Sequence, residues 1–134
     1  MRVYECEQSL QQLFSLPAVP GAPAPPTISD VFSSTATLSW SAPAKDGGAP
    51  ITGYHVERRS STAKRWVFVS TEPIKETTAV MRDLFAETEY EFRVSAENKV
   101  GTGSPSQPAG PITTKDPWGE YRRTTNLILN LSHS

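Results

Sequence analysis

The sequence predicts an all-β fold, seven short strands in a two-sheet sandwich flanked by irregular tails, and two observations carry that expectation. Residues 88–96 alternate strictly: Tyr90, Phe92, Val94 and Ala96 are apolar or aromatic, while the residues between them are charged or hydroxylated. That is the period of a strand with one face on a core and one in water. Twelve prolines and eight glycines punctuate the chain, which favours many short elements over long helices. A tyrosine that opens such a strand a few residues after a leucine, here Tyr90 after Leu84, is also the pattern of a tyrosine corner. In that corner the phenol bonds the backbone just upstream.

Taken in order, residues 16–26 read L-P-A-V-P-G-A-P-A-P-P, in which proline removes backbone donors and holds each preceding residue extended. This stretch is expected to be a semi-rigid linker. Residues 27–32 form a first strand with Ile28 and Val31, and residues 35–41 a second that turns Ala36, Leu38 and Trp40 to one side. Asp46, Gly47 and Gly48 supply a chain reversal within residues 43–50. Residues 51–60 make a third strand, with Tyr54 and Val56 on one face and His55 and Glu57 on the other. Residues 66–71 make a fourth, and residues 77–84 a fifth with Ala79, Met81 and Leu84 inward. The Tyr90 strand follows, then a glycine-punctuated hairpin loop at residues 98–103. Prolines at 105, 108 and 111 place the last strand, residues 104–115, at a sheet edge, where missing donors are tolerated. The expected core is Trp40, Tyr54, Leu84, Tyr90 and Phe92.

Together these residues resemble a fibronectin type III domain, an immunoglobulin-like sandwich. The resemblance rests on the proline-rich entry, Trp40 on the second strand, Tyr54 on the third and the Leu84, Thr88, Tyr90, Phe92, Arg93, Val94 run, and it spans residues 23–116. Within the family, Trp40-Ser41-Ala42-Pro43, Asp46-Gly47-Gly48, Pro50-Ile51-Thr52-Gly53-Tyr54 and Ala96-Glu97-Asn98-Lys99-Val100-Gly101 are similar to the muscle-type domains of titin, twitchin and myosin-binding protein C. Arg-Gly-Asp, the adhesion tripeptide of some members, does not occur. The resemblance implies a monomeric, non-catalytic spacer or docking module with protein partners such as myosin, actin or titin-like filament components, cytoplasmic and sarcomeric. Two other readings stay open: an extracellular module of a receptor or adhesion protein, and an accessory domain of a muscle-type kinase. The expected organisation is a tail and linker at 1–22, the domain at 23–116, and a disordered tail at 117–134.

A chain of 134 residues accommodates one domain of about 100 residues plus tails. Thirteen Lys and Arg balance fourteen Asp and Glu, so a nucleic-acid partner is not expected. No apolar run reaches the roughly 20 residues of a membrane span, and the first residues lack the apolar block of a signal peptide. The one cysteine, Cys6, cannot form an internal disulfide and suits a reducing compartment. Tyr4-Glu5-Cys6 has the spacing found late in immunoglobulin domains, so this segment reads either as a flexible tail or as a remnant of such a domain. In the tail, Trp118, the Arg122-Arg123 pair and the apolar Leu127, Ile128, Leu129 and Leu131 find no place in the sandwich. Asn130-Leu131-Ser132 is a sequon that only an exported chain could use.

No nucleophile with a base, paired carboxylates or metal cage is legible, and no catalytic residue, metal, cofactor or small-molecule substrate is expected. His55 reads as a surface pair with Glu57, since zinc takes three or four ligands; His133 reads as solvated. Asp46 reads as a turn residue, because calcium takes six to eight oxygens. Arg58, Arg59, Lys64 and Arg65 cluster across the reversal between the third and fourth strands. They read either as a solvated edge that discourages strand pairing, offset by Glu57, Glu72 and Glu76, or as a docking patch for an acidic protein surface.

Overall fold

A computed structural model of the chain describes residues 16–117. Two antiparallel sheets face each other. One has three strands, β1 (Thr27–Ser29), β2 (Ala36–Ser39) and β5 (Thr78–Met81), in the order β1-β2-β5. The other has four, β3 (Gly53–Ser60), β4 (Val67–Phe68), β6 (Glu89–Glu97) and β7 (Ala109–Thr113), in the order β4-β3-β6-β7. The expected seven-stranded sandwich is therefore present. Cys6, Tyr4, Glu5, Trp118, Arg122, Arg123, the apolar cluster at 127–131, Asn130 and His133 lie outside the described residues.

Alternation along the strands builds the core. Tyr90, Phe92, Val94 and Ala96 of β6 and Tyr54 and Val56 of β3 are buried from one sheet; Ala36, Leu38 and Met81 meet them from the other, with Leu84 closing one end. Burying a side chain such as Phe92 or Leu38 contributes roughly 1.5–3 kcal/mol each. Trp40 lies just past β2, where its amide donates to the Thr77 carbonyl (2.8 Å). Its indole is 7% exposed and meets the Tyr54 ring edge-on at 5.7 Å.

The turn between β5 and β6 is latched at two points. The Phe85 amide donates to the Tyr90 hydroxyl (2.9 Å), the bond that defines a tyrosine corner. The Thr114 hydroxyl donates to the Phe85 carbonyl (2.5 Å) and accepts from the Thr88 amide (3.1 Å). Thr114 is fully buried, and nothing in its local sequence marked it.

Several strands are shorter than the sequence suggests. Asp30 takes a left-handed backbone (φ 47°) and ends β1, although Val31 still packs on the core. The fourth strand shrinks to Val67–Phe68, after which Val69 donates one bond to Val56 of β3 and Ile74 exchanges two with Tyr54. The last strand contracts to Ala109–Thr113; it is the outermost strand of its sheet, as its prolines require, and its register with β6 shifts between Tyr90 and Phe92. Residues 16–21, expected as a linker apart from the domain, instead bond to its loops.

Two substitutions test this packing by urea denaturation. Trp40→Ala is expected to cost about 3–5 kcal/mol, a large share of the roughly 5–15 kcal/mol that stabilises an ordinary domain. Tyr90→Phe keeps the ring and strands the Phe85 amide; a loss of about 1–3 kcal/mol is expected, and an unchanged unfolding midpoint would contradict the corner.

Candidate functional site

The chemistry of the described residues concentrates on the outer face of the four-stranded sheet. Because Tyr54 and Val56 point inward, His55, Glu57 and Arg59 point outward, and the same parity turns Glu91, Arg93, Ser95 and Glu97 of β6 outward. The antiparallel register sets Glu57 opposite Arg93 and Arg59 opposite Glu91, so unlike charges meet across the strands.

Arg93 donates through Nε to Glu57 Oε2 (2.8 Å) and through Nη2 to Oε1 (3.1 Å), a two-pronged pair. Arg59 donates from Nε (3.0 Å) and Nη2 (2.7 Å) to the single oxygen Glu91 Oε1. Trp66, just before β4, lies between the two cations, with the guanidinium carbons of Arg59 and Arg93 4.5 and 4.3 Å from its ring centroid. A guanidinium can lay its flat face on the indole while its N–H edge holds a carboxylate, which a lysine ammonium cannot do. The result is a five-member array, Glu91, Arg59, Trp66, Arg93 and Glu57, in which both arginine charges are balanced.

Towards the other end of the same face, His55 Nε2 lies 2.9 Å from Glu97 Oε1, and the Thr102 hydroxyl donates to that oxygen at 3.3 Å. The His55 ring also meets Phe68 edge-on at 6.0 Å. Phe68 is 65% exposed and, with His55, Val69, Ser70 and Thr71, lines a shallow apolar groove along β4.

The surface pair expected between His55 and Glu57 is therefore corrected: His55 joins Glu97, and Glu57 joins Arg93. The register sets Glu57 directly opposite Arg93, at a cross-strand spacing of about 5 Å, closer than the roughly 6.6 Å between residues two apart on one strand. His55 faces Ser95, and its ring reaches diagonally to Glu97. The four clustered cations also part company. Arg58 shares the parity of the inward residues, and its guanidinium sits 5.9 Å from the Tyr90 ring centroid. Arg59 is committed to Glu91 and Trp66, so its counter-charge is Glu91 rather than Glu57, Glu72 or Glu76. Lys64, left-handed at φ 57° in the turn after β3, and Arg65 beside it are exposed, with no carboxylate within salt-bridge distance among the described residues. Asp46 Oδ1 accepts the Gly48 amide (2.9 Å), a bond that stabilises its own turn.

Sequence reasoning missed the clasped tryptophan, seen only as the first residue of a strand, and the roles of Glu91, Arg93 and Glu97. The one local signal was the alternation of charge on the outward positions of β3 and β6; pairing it needs the register.

The sequence profile of the fibronectin type III domain matches residues 21–111. This chain belongs to the fibronectin type III family. Cardiac-type myosin-binding protein C of Mus musculus is 38% identical over 102 residues, which cover 76% of this chain and 8% of that protein. Contactin-5 of Danio rerio is 43% identical over 101 residues, 72% of this chain and 10% of that protein. The solved structure of titin domains A168–A170 matches with a TM-score of 0.71 at 43% identity, covering 75% of this chain and 34% of that one. The type III domain thus spans a tenth or less of the length of these two relatives. The muscle-type resemblance carried by its loops agrees with the titin and myosin-binding protein C matches.

In this type III domain, the hydrogen bond with His55 is the main influence holding the Glu97 carboxyl below the usual carboxylate range; partial burial opposes it, and Thr102 and Lys75 help. A carboxyl more acidic in the folded state stabilises the fold above its unfolded pKa of about 4.3. That contribution disappears as the pH falls through the depressed folded value. Glu97→Gln is expected to flatten the acid limb of a urea-midpoint-against-pH curve, whereas parallel acid limbs for both proteins would refute the pairing.

Proposed function

We propose that this chain is a non-catalytic spacer and docking module of a muscle-type, filament-associated multidomain protein, acting in the cytoplasm at the sarcomere. Its partner is a protein with an acidic surface, of the class to which myosin, actin and titin-like filament components belong. The observation that carries the reading is the rigid presentation of Trp66: the indole is clasped between two charge-balanced arginines. Exposed Lys64 and Arg65 lie next to it in the chain, and the apolar Phe68 groove lies on the same sheet face. A preorganised aromatic centre costs little side-chain entropy on binding, and rim cations speed and orient encounter with an acidic partner. Similarity to myosin-binding protein C and titin supports the muscle context.

Of the four cations considered from sequence, the geometry favours Lys64 and Arg65 as the steering pair, with Arg59 holding Trp66 and Arg58 covering the Tyr90 ring. A second reading, a module of a cell-surface receptor or adhesion protein, draws support from the 43% identity to contactin-5.

Co-sedimentation of the full chain with striated-muscle myosin filaments tests the first reading. Binding above that of an unrelated type III domain is expected, weakening as salt rises. The double reversal Lys64→Glu, Arg65→Glu should weaken it roughly tenfold, or about 1.4 kcal/mol, and reduce its salt dependence. Recovery no greater than the control would remove the filament reading; saturable binding to intact cells in its place would favour the second.

A further inference from the structure

Residues 16–21 are chemically poor in donors, since Pro17 and Pro20 carry no amide hydrogen. Two of the amides that remain are nevertheless used. Ala18 donates to the Gly47 carbonyl (2.7 Å) and Gly21 to the Lys45 carbonyl (2.9 Å), which lays the segment along the loop between β2 and β3. Asn98 then ties it to the loop between β6 and β7. Its Nδ2 donates both to the Ala18 carbonyl and to the Asp46 carbonyl (2.8 Å each), and its Oδ1 accepts the Val100 amide (2.9 Å) and, more weakly, the Gly101 amide (3.3 Å). Asn98 is 3% exposed, so all of its hydrogen-bonding capacity is spent within the protein.

Two glycines are shaped to this contact. A Cβ at Gly103 would lie 1.9 Å from the Pro20 carbonyl oxygen and 2.8 Å from its carbon, and a Cβ at Gly47 would lie 2.1 Å from the Ala18 oxygen. Gly47 also has a left-handed backbone (φ 78°), which by itself favours glycine; Gly103 does not, so close approach of the segment is what its missing side chain serves. Pro20 is buried.

We propose that residues 16–21 are a strap, an integral part of the folded unit that docks in the groove between loops 45–48 and 98–103, with Asn98 as its buckle. The strap extends the module beyond the residues matched by the family profile, which begin at 21. It also fixes the direction in which the chain arrives at the sandwich, so this junction is stiff where a proline-rich linker would only be extended. The inference is independent of the docking partner, because every contact in it is internal.

Amide hydrogen exchange of the full chain, followed residue by residue by NMR, tests it. Ala18 and Gly21 are expected to exchange roughly tenfold or more slowly than Val19, relative to their intrinsic rates, since no acceptor among the described residues meets the Val19 amide. Gly103→Ala should accelerate exchange at Ala18 and Gly21 while the amides of β3 and β6 stay protected. Asn98→Asp, which keeps the acceptor for Val100 but turns a carboxylate oxygen towards two carbonyls, should do the same and serves if Gly103→Ala loses protection globally. Exchange at Ala18 and Gly21 as fast as at Val19 in the unmodified chain overturns the strap, and so does protection there that neither variant changes.

Discussion

Strand β6 obeys one constraint on which the rest depends: its inner residues are locked under the other sheet, so its outer residues have no choice of direction. Tyr90, Phe92, Val94 and Ala96 are buried, and sliding β6 by one position would drive Glu91 and Arg93 into the core. Since β6 pairs with both β3 and β7, the same lock fixes which residues of β3 face outward and where the last strand must run. The charged face is a consequence of the hydrophobic one.

That outer face gains order from weak interactions placed in series. An exposed ion pair contributes roughly 0–1 kcal/mol, and an exposed cation–π contact about 0.5–1 kcal/mol. Individually these decide little. Around Trp66, however, each arginine is held at its edge by a carboxylate and at its face by the indole, so the side chains share one geometry and the entropy of ordering them is lost once. His55 and Glu97 extend the order towards the loop that carries Thr102 and Asn98. The face is therefore a relatively rigid surface, with the apolar Phe68 ring exposed upon it.

At the far end of β6, the chain changes from ladder to clasp. Asn98, the residue after the strand, gathers residue 18, loop 45–48 and its own turn through four hydrogen bonds. At the near end, Tyr90 and Thr114 hold the β5–β6 turn in a similar manner. Both ends of the central strand thus terminate in a side chain that satisfies the backbone of a neighbouring loop, which is how a sandwich without a disulfide among its described residues keeps its loops in place.

The fold was legible in the sequence because its information is local. Period-two alternation at 88–96, the Ala36, Leu38, Trp40 series and the Leu84 to Tyr90 spacing each lie within a few residues, and each side chain's direction follows from parity alone. The edge position of the last strand was legible for the same reason, since proline cannot donate wherever it is placed. What the tertiary structure decided is who meets whom across strands. The register of β3 on β6 gave Glu57 to Arg93 and Arg59 to Glu91, the fold-back of β4 delivered Trp66 between them, and loop packing turned a proline-rich stretch into a docked segment. Those partnerships join residues up to 80 positions apart in the chain. Side-chain alternation names a face but not a neighbour, so only the assembled sheets could choose.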